Sequence, residues 1–160
     1  MEEVGHPVVS PASKLATLCA ALNTAEARYL VVGAQAFILW ARPRATRDFD
    51  FLIEPSVDNG RRVLEALTGL GFWIGRDYAP EDLVARPVTI LSDPFYRVDL
   101  LTVAWSVHYS DAVQRATTFE VAGVSVPTVS LDDLIASKRT GRLQDAADIE
   151  VLEKVRRRAR

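Results

Sequence analysis

The chain of 160 residues is poor in the side chains that most often hold soft metals or make covalent cross-links: it has one cysteine, Cys19, and two histidines, His6 and His108. A single cysteine forms no internal disulfide, and Cys19 lies in an apolar helical run, so it is expected to be a buried thiol in a reducing compartment. Neither histidine has a Cys, His or acidic partner at ligand spacing, which leaves no zinc site to propose. No Ser-based nucleophile motif is present either. Long apolar runs are also missing. The longest, Tyr29 to Trp40, is too short to span a bilayer, and no basic stretch followed by an apolar one opens the chain, so a cytoplasmic protein with no membrane contact is expected.

What is present is ordinary globular composition, 49% hydrophobic and 25% charged, with a net charge of −2. The length fits one domain over 1–160, with a core over about 14–153, a short lead and a basic tail. That tail carries Lys154, Arg156, Arg157, Arg158 and Arg160, either for contact with phosphate or as a solvated helix end whose cations suit the helix dipole.

The stretch Arg44-Ala45-Thr46-Arg47-Asp48-Phe49-Asp50-Phe51-Leu52-Ile53 organises the rest. Its alternation predicts a β-strand with Phe49, Phe51 and Ile53 on one face and Asp48 and Asp50 together on the other. The two Cβ atoms would stand roughly 6 to 7 Å apart, a span that divalent cations with oxygen ligands near about 2.1 Å can bridge. Salt bridges from Arg44 and Arg47 to a solvated strand face are the other reading.

Around this strand the chain alternates between types. Ser13 to Arg28 has helical apolar spacing, and Tyr29-Leu30-Val31-Val32 reads as a buried strand that turns at Gly33 into a helix over Ala34 to Ala41. A strand, a glycine turn and a helix start leave backbone N–H groups facing outward, a seat for phosphate, although a tight packing turn needs the same glycine. Asp58 to Leu70 reads as a helix, 72 to 86 as a loop with one helical turn from Pro80, and Val88–Leu91 with Tyr96–Val103 as a hairpin. On its second strand Asp99 is a lone acid among apolar residues, which calls for a metal, water or an arginine, Arg97 or Arg47. A short helix over Tyr109–Arg115 precedes a second hairpin turning at Ala122-Gly123. Ser130 and Asp133 form a capping-box variant for a helix that carries Lys138 late and breaks at Gly141. A last helix, Leu143 to Val155, is expected to turn Ala147, Leu152 and Val155 inward, with Asp145 and Asp148 near its start to suit the dipole.

Gly33-Ala34-Gln35-Ala36, Arg44-Ala45-Thr46 and Asp48-Phe49-Asp50 together resemble the opening signature of the nucleotidyltransferase superfamily that shares the DNA polymerase β palm, and in particular its small prokaryotic AbiEii-toxin-like branch. Leu134 to Lys138 and Arg142 to Asp148 are similar to that branch's last helices. Three positions depart from the pattern: Ala34 stands for a second Gly or Ser, Ala41 for a glycine, and Gln144 for a lysine. The resemblance implies an α/β (α+β) fold, with a small mixed β-sheet and helices packed mainly on one face. It implies Mg²⁺ or Mn²⁺ held by Asp48, Asp50 and Asp99, with Asp99 also accepting the attacking hydroxyl's proton. It further implies a nucleoside triphosphate held by Gly33, Ala34, Arg44, Thr46, Arg47 and Lys138. The nucleotide would pass to a tRNA 3′ end, a protein or a small molecule, with a cognate toxin or antitoxin, or a homodimer, as partner. The alternative is a catalytically silent member of the fold acting as a binding or antitoxin-like protein, to which Ala34 and Gln144 point.

Overall fold

The structure, a computed structural model, describes residues 11–72 and 78–159. The expected lead with His6, the middle of the irregular stretch after Phe72, and Arg160 lie outside the described residues. Among those described, helix α1 (Pro11–Thr24) leads into strand β1 (Tyr29–Val32), helix α2 (Gly33–Trp40), strand β2 (Asp48–Ile53) and helix α3 (Val57–Thr68). A short helix α4 (Pro80–Ala85) precedes the hairpin of β3 (Val88–Ser92) and β4 (Arg97–Leu101). A smaller hairpin, β5 (Val103–Ala104) and β6 (Val107–His108), then leads to α5 (Tyr109–Ala112) and a 3₁₀ turn over Val113–Arg115. Strands β7 (Thr117–Val121) and β8 (Val124–Thr128), then helices α6 (Leu131–Ser137) and α7 (Leu143–Arg158), complete the chain.

The main sheet runs β3-β4-β2-β1-β8-β7. It is mixed: β1 is antiparallel to β2 and parallel to β8, and β2 is parallel to β4. The parallel pairing requires a crossover, which α3, α4 and β3 supply. Phe49, Phe51 and Ile53 are fully buried on the expected face of β2, and Tyr29 of β1 meets Phe51 edge to face at 5.6 Å. Helix α1 closes this side, with Leu15, Leu18, Cys19 and Leu22 buried; burial pushes the Cys19 thiol up to about 11, so it is inert. The opposite face is closed at Leu30, Val32 and Leu52 and opens toward the start of β2, where Asp48 and Asp50 stand.

Three details differ from the sequence reading. Strand β4 stops at Leu101 rather than Val103, because Thr102 turns back onto Arg86 and Pro87 and the chain enters the smaller hairpin. The Ser130 hydroxyl does accept from the Asp133 N–H, but the Asp133 carboxylate pairs with Arg115 at 3.1 Å instead of closing a capping box. Helix α6 ends at Ser137, so that Lys138 is its C-cap residue.

Candidate active site

Parallel pairing of β2 and β4 sets Asp48 beside Arg97 and Asp50 beside Asp99. Because side chains alternate, these four groups share the open face of the sheet. Asp50 is held up at about 7: burial is the main cause, followed by the charge of Asp99, the hydrogen bond that a proton on Asp50 makes with Asp99, and the charge of Asp48, with Arg97 opposing. Two carboxylates side by side in a desolvated place cannot both ionise cheaply without a cation. Asp99 Oδ1 is buried and receives no well-directed hydrogen bond, although Arg97 Nε lies near it. Arg97 supplies the local positive charge. Its Nη2 donates to Asp99 Oδ2 at 3.0 Å and lies 3.7 Å from Asp48 Oδ2, and its Nε lies 3.0 Å from Asp99 Oδ1. Both readings of Asp99, a partner for arginine and a cation ligand, therefore meet at one point.

Gly33 explains why β1 must turn as it does. Its φ is +65°, and a Cβ there would lie 2.0 Å from Asp50 Oδ2. The residue before it, Val32, offers no side-chain cap to α2. The Gly33 turn is thus shaped by the acid next to it, and the first N–H groups of α2 open beside that acid. Gly33→Ala is expected to destabilise the fold by about 1 to 3 kcal/mol for the left-handed backbone and by a similar amount for displacing Asp50. Thermal unfolding of the variant checks this, and an unchanged midpoint would show that Asp50 does not press on the turn.

A second constellation lies behind the first. Asp148 of α7 is 2% exposed and accepts from Arg44 through both carboxylate oxygens, from Lys138 Nζ at 2.8 Å and from Gln144 Nε2 at 2.9 Å. Burial alone would raise this acid, but these donors outweigh it and bring it down to about 2. The Arg44 guanidinium also covers the Phe37 ring at 4.0 Å. Against the expectation of Asp148 as a helix-dipole acid and Ala147 as the inward residue, the structure exposes Ala147 and buries Asp148 as the hub of the network. Helical spacing puts Asp148 on the stripe of Leu152 and Val155, one and two turns before them, which marks its face but not its partners.

The expected site residues thus divide. Gly33, Asp50, Asp99 and Lys138 line one cleft of about 450 Å³, joined by Arg97, Asp145 and Trp105, none of which the sequence singled out as a site residue. Asp48, with its side chain 47% exposed, stands at Arg97 rather than in the cleft lining. Thr46 accepts from the Asp48 N–H at 3.1 Å, fixing the strand's entry. Arg47 is exposed and lends its carbonyl to the Arg97 N–H at 3.0 Å. Ala34 is half-buried in the first turn of α2. Among the described residues no three His, Cys, Asp or Glu side chains are grouped so as to hold an ion by themselves. Asp50 and Asp99 fit a hard divalent cation all the same, because they offer oxygen ligands, one of them buried and receiving no well-directed hydrogen bond, and such ions take further ligands from substrate phosphates.

No protein-family model and no curated protein matches the chain. Solved structures do. The lincosamide antibiotic adenylyltransferase LnuA with lincomycin bound superposes with a TM-score of 0.64 at 13% identity, over 92% of this chain and 98% of that one. The fold is that of the nucleotidyltransferases. The antibiotic-resistance factor ANT(2'')-Ia in solution gives 0.62 at 14% identity, over 91% of this chain and 86% of its own. A nucleotidyltransferase-like antigenic protein from Paracoccidioides brasiliensis gives 0.59 at 17% identity, over 90% and 74%. Another ANT(2'')-Ia structure contains adenylyl-2''-tobramycin. At such identities the likeness concerns the nucleotidyltransferase fold, whose mixed sheet this chain shares.

Proposed function

We propose that this chain transfers a nucleoside monophosphate from a nucleoside triphosphate to a hydroxyl acceptor. The observation that carries the reading is the Asp50–Asp99 pair, one acid held up at about 7 and set against the Gly33 turn. Asp50 and Asp99, with Asp48 beside them, would hold Mg²⁺ or Mn²⁺. When bound, the ions neutralise charge on the triphosphate and on the attacking and leaving oxygens. The acceptor oxygen forms its bond to the α-phosphorus, the bond from that phosphorus to the bridging oxygen breaks, and pyrophosphate leaves. Asp99 takes the hydroxyl proton. The backbone N–H groups of Gly33 and Ala34 seat phosphate, and Lys138, which lines the cleft, balances its charge. Arg44 acts from behind, through Asp148, rather than on the nucleotide.

A small hydroxylated molecule is the acceptor we favour, because the chain matches LnuA over nearly all of that protein's length and LnuA is an adenylyltransferase of a small antibiotic. A tRNA 3′ end or a protein hydroxyl would be the result that redirects this choice. Titration of the thermal midpoint with Mg²⁺ and each nucleoside triphosphate tests the reading. A rise of several degrees for the combination supports it, and no shift with any of them contradicts it.

One observation favours the silent alternative: Arg97 places a guanidinium between Asp48 and Asp99, where a cation would go. If the site is a working one, Arg97 must give way when the metal binds. Arg97→Met is then expected to tighten Mn²⁺ binding, followed by electron paramagnetic resonance, by about tenfold or more, the scale of one hydrogen bond to a charged group. Equal or weaker binding by the variant would mean that the acids are a structural partner for Arg97 and nothing more.

A further inference from the structure

Trp105 is placed where neither burial nor backbone preference explains it. It begins the two-residue turn between β5 and β6, whose flanking Ala104 and Val107 are 6% exposed each, yet Trp105 itself is 60% exposed. Its φ is +58°, and the left-handed conformation in that turn is confined to it, an arrangement that asks for glycine at the first position. The β7–β8 hairpin turns through Ala122 and Gly123, small residues at positive φ. A bulky aromatic in that conformation is an outlier whose meaning must be sought in what it faces. Trp40 shows the contrast: its indole N–H donates to the Val129 carbonyl at 2.9 Å and its ring meets Phe119 edge to face. The Trp105 indole makes no such hydrogen bond among the described residues.

What Trp105 faces is the cleft of Asp50 and Asp99. That cleft has two characters. Gly33, the acids and Lys138 suit phosphate and cation, while Val88, Leu101 and Trp105 form an apolar part with an exposed aromatic ring. A ligand that satisfies both is charged at one end and planar and apolar at the other. Ser137, Thr140 and Arg142 add further polar side chains to the cleft lining.

We propose that Trp105 is the stacking platform for the nucleobase of the donor nucleotide. This rests on the nucleotidyl-transfer reading above and adds to it the residue that holds the base. Recognition by the ring face favours purines over pyrimidines through their larger stacking area and by itself separates adenine from guanine poorly.

The test compares the unmodified protein with Trp105→Gly and Trp105→Phe by calorimetric titration, in Mg²⁺, with a non-transferable α,β-methylene ATP and with inorganic tripolyphosphate. Glycine suits the turn, so Trp105→Gly is expected to melt at or above the temperature of the unmodified protein. It should bind the ATP analogue roughly 5- to 150-fold more weakly, the range of one lost aromatic–base stack, and tripolyphosphate unchanged. Trp105→Phe should keep most of the affinity for the analogue. A Trp105→Gly protein that binds the analogue normally, or that loses tripolyphosphate equally, overturns the platform while leaving nucleotidyl transfer standing. An unmodified protein that binds neither ligand overturns both.

Discussion

Asp50→Asn is expected to make the protein more stable at pH 8, in the absence of divalent cations, while abolishing the proposed nucleotidyl transfer. Asp50 carries its proton to about pH 7 in the folded protein, well above the ordinary carboxylate value. Between that ordinary value and pH 7 the folded state binds more protons than the unfolded one, so stability falls as pH rises through the interval. The stability that the protonated acid contributes is fully present below the unfolded value and is lost above about pH 7, a change on the order of 4 kcal/mol. The groups facing Asp50 are Asp99 and Asp48, which oppose its ionisation, and Arg97, which favours it. Asparagine has the same shape, carries no charge and can donate to Asp99. Urea denaturation at pH 5 and pH 8 checks this: the variant should lead by about 1 to 2 kcal/mol at pH 5 and by about 4 kcal/mol at pH 8. Equal stability at pH 8 would mean that Asp50 is already ionised and paired in the fold.

Asp148→Asn is expected to act in the opposite direction, costing about 3 to 5 kcal/mol at neutral pH, because removing one side of a buried ion pair leaves the other without a counter-charge. Lys138, 8% exposed, would keep Asp145 at 3.8 Å as its anionic neighbour and the Phe37 ring, and Arg44 would keep its contact with Phe37. Here the acid is lowered, so its contribution is present above the unfolded value and is lost as pH falls from the ordinary carboxylate range toward 2. Adding Lys138→Met to Asp148→Asn removes the stranded ammonium and should restore part of the loss. A double variant no more stable than the sum of the single effects would show that the two groups do not act as a pair.

These two acids mark what the sequence could and could not convey. The period of two over Asp48 to Ile53 placed the acids on one face because strand geometry is local, and the burial of Phe49, Phe51 and Ile53 follows the same rule. Asp99 could be brought alongside because a hairpin turning at Ser92-Asp93-Pro94 leaves its second strand free to join β2. The role of Asp148 was not legible, because a helix start tolerates an acid whether or not one is buried, and only the approach of Arg44, more than a hundred residues away, decides it. Arg97 was legible as a partner of Asp99 but not as a bridge toward Asp48, since that depends on the register between β2 and β4. The place of Trp105 is not legible, because Val103 reads as the end of a strand and nothing local announces that Thr102 folds back onto Arg86.

The most direct test of nucleotidyl transfer is incubation of the protein with each α-labelled nucleoside triphosphate and Mg²⁺, in the presence of pooled small hydroxylated antibiotics, total tRNA or cell lysate, beside an Asp48→Ala/Asp50→Ala control. The account predicts label on a small molecule, with release of pyrophosphate, and none in the control. Label absent from every fraction, or equal with the control protein, would contradict it and leave Asp50 and Asp99 as acids that serve the fold alone.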